Sequence, residues 1–281
     1  MENTIRARKV NDRGWLVGFG NLFQASSAGF WHSKKWIIQA LVWLIILNAV
    51  LTKIWSTPTD IIPELLVGYK ASFSIELLVQ NPLGLALMNF FLFAGILPAV
   101  AAVIAGQDAL IGERQSGTAA WVLSKPISRT AYIFSKMAAS TVGLFFTGVL
   151  IPGAAAYLQL SVWCGKAWSM GFLGAMGLVF LNLFYYLCLT YMLGSIFNNR
   201  GVVLGISLVM AIIGPLYLYS VPVLNYITPW TLLMPLGGGM SQSIALTFGQ
   251  VPEPVLPIIG TIVMCLVFIA VTLWRFHCEE F

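Results

Sequence analysis

Six long apolar runs, almost free of ionisable side chains, limit what this chain can fold into more than any other feature. They are Trp36–Leu51, Leu83–Ala105, Ile133–Leu158, Phe172–Phe197, Val202–Tyr219 and Val255–Trp274. A helix needs about 20 residues to cross a hydrocarbon core of ~30 Å, and each run is close to that length. The first is slightly short and extends past Lys53, whose long stem can carry its charge back to water. The third is interrupted late by Pro152. Only 9% of the 281 residues are charged, against roughly 25% in a soluble domain. Too little charge remains to cover a water-facing surface, so the expected fold is an all-α polytopic membrane protein with six transmembrane helices. Residues 1–281 form one membrane domain, and no polar stretch is long enough for a separate soluble one.

Lysine and arginine set the expected orientation. Arg6, Arg8, Lys9, Arg13, Lys34 and Lys35 precede the first run. Arg114, Lys125, Arg129 and Lys136 lie between the second run and the opening turn of the third, Arg200 lies between the fourth and fifth, and Arg275 follows the sixth. Those twelve share one face, and Lys53, Lys70 and Lys166, three in all, share the other. Both termini are therefore expected in the cytoplasm of a plasma-membrane protein, and an odd number of spans would destroy the split. The length of chain before the first run argues against a cleaved signal peptide.

Within the cytoplasmic N-terminus, 1–35, residues 14–32 make a poor span but a reasonable surface helix. Trp15, Leu16, Phe19, Leu22, Phe23, Phe30 and Trp31 recur largely at three or four residues, so an amphipathic helix at the inner interface is expected. The outer segment 53–82 mixes Asp60, Glu64, Lys70 and Glu76 with apolar residues and reads as an outer-surface helix or ordered loop. Residues 220–254 contain Pro222, Pro229, Pro235, Pro252 and the Gly237-Gly238-Gly239 run. So many breakers forbid one straight span, and two short re-entrant outer helices packed against neighbouring spans are expected instead.

Several chemistries lack their residues. Apart from Lys136, no Asp, Glu, Lys, Arg or His falls inside a run, whereas ion-coupled carriers and proton relays place titratable groups there. His32 and His277 lie near the inner face without a partner at ligand spacing, and Cys164, Cys188, Cys265 and Cys278 show neither CxxC pairing nor zinc spacing. Cys188 and Cys265 read as small core hydrophobes. No phosphate loop is present; Gly165-Lys166 lacks the upstream glycine, and Leu236-Gly237-Gly238-Gly239 falls outside the membrane. The chain is thus expected to bind no cofactor, metal or nucleic acid and to catalyse nothing itself. Polar residues within the runs, namely Gln39, Asn89, Asn182, Thr147, Thr190 and Thr261, are expected to bond helix to helix. Gly201 and Gly205 form a GxxxG, a weak sign of a close helix contact.

The informative segment is the cytoplasmic loop 107–132. The second span can continue into Asp108–Arg114, Gly117 permits a sharp turn, and Thr118 can cap a short helix, Ala119–Ser124. Pro126 stops that helix and Ser128 caps the third span. The result is a short crosswise helix exposing Trp121, Val122 and Leu123, suited to sit in a groove on a partner and pass its movement to two spans. A merely connecting loop needs only about four residues.

Glu113-Arg114-x-x-Gly117-Thr118, then Leu123-Ser124-Lys125-Pro126-Ile127-Ser128-Arg129 and Lys136, resembles the inner loop of type-2 ATP-binding-cassette (ABC) transporter permeases. Gly18-Phe19-x-Asn21-Leu22-Phe23 with Trp31 resembles the same family's amphipathic N-terminal helix, and the tail 275–281, from Trp274-Arg275-Phe276 to Glu279-Glu280-Phe281, resembles its acidic close. The resemblance spans the whole chain. It implies a six-span permease that pairs with a second copy or a related permease and recruits two cytoplasmic ATPase subunits, which hold the ATP and magnesium. It implies export, a coupling helix in the 107–132 loop, and outer re-entrant helices in 220–254. Glu113, Arg114, Gly117, Thr118, Trp121, Leu123, Pro126 and Arg129 are then the expected coupling residues, with Glu113 and Arg129 meeting charges on the ATPase. Gln24-Ala25, Ala119, Val122 and His277-Cys278 depart from the family's usual residues, which suggests a specialised partner.

Two other readings compete. A secondary carrier needs a coupling-ion site that the spans do not offer. A membrane scaffold would bind partners without any cargo-dependent ATP hydrolysis.

Overall fold

A computed structural model describes residues 14–56, 82–164, 169–235 and 240–278. The basic N-terminal residues, the outer segment 57–81, Gly165-Lys166, the 236–239 glycine run and the acidic tail 279–281 lie outside the described residues. Those described are helical or irregular, without strands, and six of their helices are long and apolar enough to cross a membrane.

The chain opens with α1, Phe19–His32, and α2, Lys35–Trp55. The third helix, α3, runs Pro82–Gln107, widens into a π-helical turn at Asp108–Gly112 and ends at Glu113–Gln115. A short α4, Thr118–Leu123, leads into α5, built of Arg129–Leu144, a π segment Phe145–Leu150 and Ile151–Cys164. Then come α6, Met170–Ile196, and α7, Arg200–Leu208 continued by a π segment Val209–Leu218. Three short helices follow, α8 at Pro222–Ile227, α9 at Trp230–Leu233 and α10 at Gln242–Thr247, before α11, Leu256–Cys278.

Helix α6 is the central post. Its residues are apolar all round and most are buried, with one face of its first half, Met170, Leu173, Gly174 and Gly177, left exposed. Asn182 Nδ2 donates to the Gly95 carbonyl of α3 at 2.8 Å, Tyr185 meets Phe268 of α11 edge-on at 5.3 Å, and Thr190 Oγ1 lies 3.3 Å from Ser207 Oγ of α7. Asn182 therefore bonds between helices, while Thr190 also donates to the Tyr186 carbonyl of its own helix at 2.7 Å. Asn89, Thr147 and Thr261 instead donate to carbonyls of their own helices. Asn48, which the sequence reading passed over, donates to the Pro152 carbonyl of α5 at 3.4 Å.

Proline shapes two spans. Pro152 does not break α5; the wider π turns just before it accommodate a ring that an α-helix would push against a carbonyl. In the π segment of α7, the Met210 carbonyl would accept from residue 215, which is proline and has no N–H. Tyr186 Oη and Trp230 Nε1 donate to that carbonyl at 3.2 and 3.1 Å instead, as a buried backbone acceptor at membrane depth requires. Trp230 is buried, and Gly214 makes room for it: a Cβ there would lie 2.3 Å from the indole.

The segment 220–254 was expected to hold two short helices. Three are present among its described residues, because Thr228 and Pro229 separate α8 from α9. They pack tightly on the spans. A Cβ on Gly260 of α11 would lie 1.9 Å from the Tyr226 carbonyl oxygen, and one on Gly171 of α6 would lie 1.8 Å from that of Leu246.

Helix α1 runs in the same direction as the first half of α5. Trp15 meets Phe134 edge-on at 6.3 Å, Phe30 lies against Gly143, and Trp31 meets Phe146 at 5.9 Å. Where α1 ends, α2 takes over along the rest of α5, closing with Trp55 stacked on Trp163 at 5.0 Å. Gly201 donates its N–H to Asn199 Oδ1 at 2.8 Å, and nothing lies within 4 Å of a Cβ on Gly205; the face they share with Val202 and Ile206 is open.

Candidate functional site

The long helices direct attention to the 107–132 loop. The α3 stem, Leu83–Gln115, has 33 residues and α5, Arg129–Cys164, has 36. At 1.5 Å per residue these are about 50 and 54 Å long, some 20 Å more than a ~30 Å hydrocarbon core. The charges gather at the loop end, Asp108, Glu113 and Arg114 in α3 and Arg129 and Lys136 in α5, within about 12 Å of the end of each helix. The loop is thus carried on two charged helical arms.

The arms are fastened to each other. Glu113 Oε1 pairs with Lys136 Nζ, and Glu113 Oε2 accepts from Tyr132 Oη at 2.7 Å. The two charged side chains are 29% and 11% exposed, so the pair is poorly hydrated and little screened. Arg114 secures the turn between α6 and α7, donating to the Gly194 carbonyl at 2.9 Å and to Asn198 Oδ1 at 3.3 Å. Arg200 reaches Asp108 at 3.7 Å.

Between the arms the chain reverses at Gly117, whose φ of 74° lies in the left-handed region that costs other residues ~1–2 kcal/mol. Gly117, not Thr118, is the N-cap of α4; Thr118 is its first residue, and its hydroxyl contacts Ser116 Oγ at 2.8 Å. Ala119 is buried, and Val122 and Leu123 are half-buried against the core. All three of Trp121, Val122 and Leu123 are expected at the surface from the sequence, and the structure exposes one. A six-residue helix has few turns to share between two faces, and only Trp121 projects, 63% exposed, with Lys125 Nζ 3.8 Å above its ring. Ser124 closes the helix by donating to the Trp121 carbonyl at 2.7 Å, and Pro126 lies beyond.

Ser128 caps α5 by accepting from Ala131 N at 3.0 Å, and its hydroxyl donates to the Trp15 carbonyl at 2.6 Å. Ser128 N also donates to the Val17 carbonyl at 3.2 Å, and Gly18, at φ 87°, lies under Ile127. The loop is therefore braced by the segment leading into α1. Arg129 donates to the Phe276 and His277 carbonyls at 3.3 and 2.9 Å. Glu113 and Arg129, expected to meet a partner's charges, are both engaged within the chain.

The structure thus brings Glu113, Arg114 and Arg129 together beneath the loop and places Trp121 at its tip, with Gly117, Thr118, Leu123 and Pro126 shaping the turn. Sequence reasoning missed Tyr132 and Phe276, whose rings stack at 5.5 Å. The one available signal was the aromatic residue in the Trp274-Arg275-Phe276 tail. Among the described residues no group of acidic, His or Cys side chains is arranged to hold a metal ion.

A family model described as ABC-2 family transporter protein matches residues 31–281. No curated protein matches the chain.

Proposed function

Because the chain belongs to the ABC-2 family of transporter proteins, we propose that it is the permease subunit of an ABC exporter, driven by separate cytoplasmic ATPase subunits that dock on α4. The observation that carries this reading is the loop itself: a short helix with one exposed indole, joining the charged ends of two long helices that are fastened to each other. Such an arm converts movement of a docked partner into tilting of α3 and α5. Closure of the ATPases around ATP moves α4, and the two permeases of a dimer rock against each other to open a path. The open glycine face of α7 supports pairing with a second copy or a related permease, since small residues let helix backbones approach in lipid. Spans with ionisable groups only near their ends suit a hydrophobic or amphipathic cargo. On this reading the loop end faces the cytoplasm, and ATP and magnesium belong to the partner.

The test is purification of the tagged protein in mild detergent, with mass spectrometry of what accompanies it. Recovery of a soluble ATPase bearing a phosphate loop, lost on Trp121→Ala, is the expected result. An intact chain with no ATPase would overturn the reading.

A further inference from the structure

We infer that the loop-side end of α11 is a working part of the coupling device, gripped by both arms of the loop, and that Arg129 and Phe276 are the positioning residues that transmit loop movement to the sixth span. The inference rests on the reading of α4 as an ATPase-docking helix.

The last carbonyls of a helix have no partner within it and form the negative end of its dipole. In α11 two of them, at Phe276 and His277, accept from the Arg129 guanidinium at 3.3 and 2.9 Å. These bonds are charge-assisted and stronger than neutral ones. Arg129 is the first residue of α5, joined to α4 only by Ser124–Ser128, a stretch fixed by a proline and a capping serine. Thr130 adds a contact from its hydroxyl to His277 Nε2 at 3.1 Å.

Phe276 is 1% exposed although its neighbours Arg275 and His277 are exposed. Its ring stacks on Tyr132 of α5, with an interplanar angle of 14°, and the Arg114 guanidinium of α3 lies 5.5 Å from its centroid. Tyr132 and Arg114 come from the two arms, and Tyr132 is bonded to Glu113, the residue that fastens them. One side chain of α11 is thus held by both. Further along, α11 packs on α6 and α8. A displaced α4 therefore moves the end of α11 in the same step as the arms, without a route through the span interfaces.

The experiment uses the permease with its ATPase in lipid nanodiscs. Cys164 is replaced by serine, and the exposed Cys278 carries an environment-sensitive fluorophore, while Cys188 and Cys265 are buried. The expected result is an emission change when ATP and vanadate are added. Arg129→Met reduces that change by roughly tenfold, the factor expected when one charge-assisted contact is lost, and Phe276→Leu, which removes the ring stack on Tyr132 but no hydrogen bond, by roughly threefold. Phe276→Leu retains bound ATPase and its hydrolysis, and Arg129→Lys restores much of the change that Arg129→Met removes. A purely structural clamp would leave the change at full size in every folded variant, and that result overturns the inference. So does an absent change in a wild-type complex that hydrolyses ATP. If Arg129→Met fails to fold, the milder Phe276→Leu decides alone. Failure of the parent reading is seen separately, as no ATPase accompanying the unlabelled wild type.

Discussion

Removing the Glu113 carboxylate should destabilise the loop arms, and should do so through Lys136. Glu113→Ala leaves the Lys136 ammonium, 11% exposed, without its counter-ion, and leaves Tyr132 Oη without its acceptor. Breaking a fully buried pair from one side costs about 3–5 kcal/mol, most of it from the charge left behind. Glu113 is 29% exposed, and water reaches that side of the pair, so a loss of about 2–3 kcal/mol is the appropriate scale. In a chain of this size that corresponds to a fall of roughly 5–10 °C in unfolding temperature. The assay is thermal unfolding in lipid nanodiscs of wild type, Glu113→Ala, Lys136→Met and the double variant. Because each single change strands the other partner, the double variant should unfold no lower than the worse single one, a coupling well above the additivity error of ~0.5 kcal/mol. Falls that simply add would refute the argument, since they would mean that the two side chains act independently.

The remaining predictions address the turn, the orphan carbonyl and the outer helices. Gly117→Val, at φ 74° with open space around it, should preserve the fold but reset the angle of α4, so that ATP hydrolysis persists while transport in reconstituted vesicles falls; unchanged transport would sink the assignment of α4. Trp230→Phe removes one of two donors to the Met210 carbonyl and should cost about 1 kcal/mol. Combining it with Tyr186→Phe should cost more than the sum, read as unfolding temperature, because only the pair leaves the carbonyl bare. Gly260→Ala places a Cβ 1.9 Å from the Tyr226 carbonyl and should displace α8, seen as faster labelling of a cysteine placed at Val223.

The spans were legible because lipid imposes a coarse rule, an apolar stretch of sufficient length with almost no charge, that six runs meet. Their ends were legible only in part: the start of α5 was given by its Ser128 cap, whereas the third run closes at Leu158 and α5 continues to Cys164. The loop's outline was legible from Gly117 and Pro126, whose backbone preferences are local. What holds it was not. Glu113 and Lys136 are 23 residues apart, and Arg129 reaches carbonyls 147 and 148 residues away, distances that no local periodicity encodes. Gln39 to Thr261 could be recognised as candidate bonding residues, but whether each bonds its own helix or a neighbour depends on which face the packing buries. Thus Asn182 crosses to α3 whereas Asn89 does not.

The placement of the π segments bears on how a rigid loop could move flexible spans. Each of the three lies where a stiff part meets one that must accommodate it. Asp108–Gly112 joins the α3 span to its fastened end, and Phe145–Leu150 begins where α1 stops bracing α5. Val209–Leu218 lies where α7 loses a backbone donor to Pro215. A widened turn has fewer and poorer ladder bonds than the α-helix on either side, so bending requires least energy there. The arms beyond are tied by an ion pair, a capping serine and the grip on α11. On the proposed reading, force applied at Trp121 is carried through stiff arms to these turns and spent on changing the angle between arm and span. A loop fastened less firmly would absorb the same movement itself, which gives a physical reason for Glu113 and Arg129 to be engaged inside the chain instead of presented to a partner.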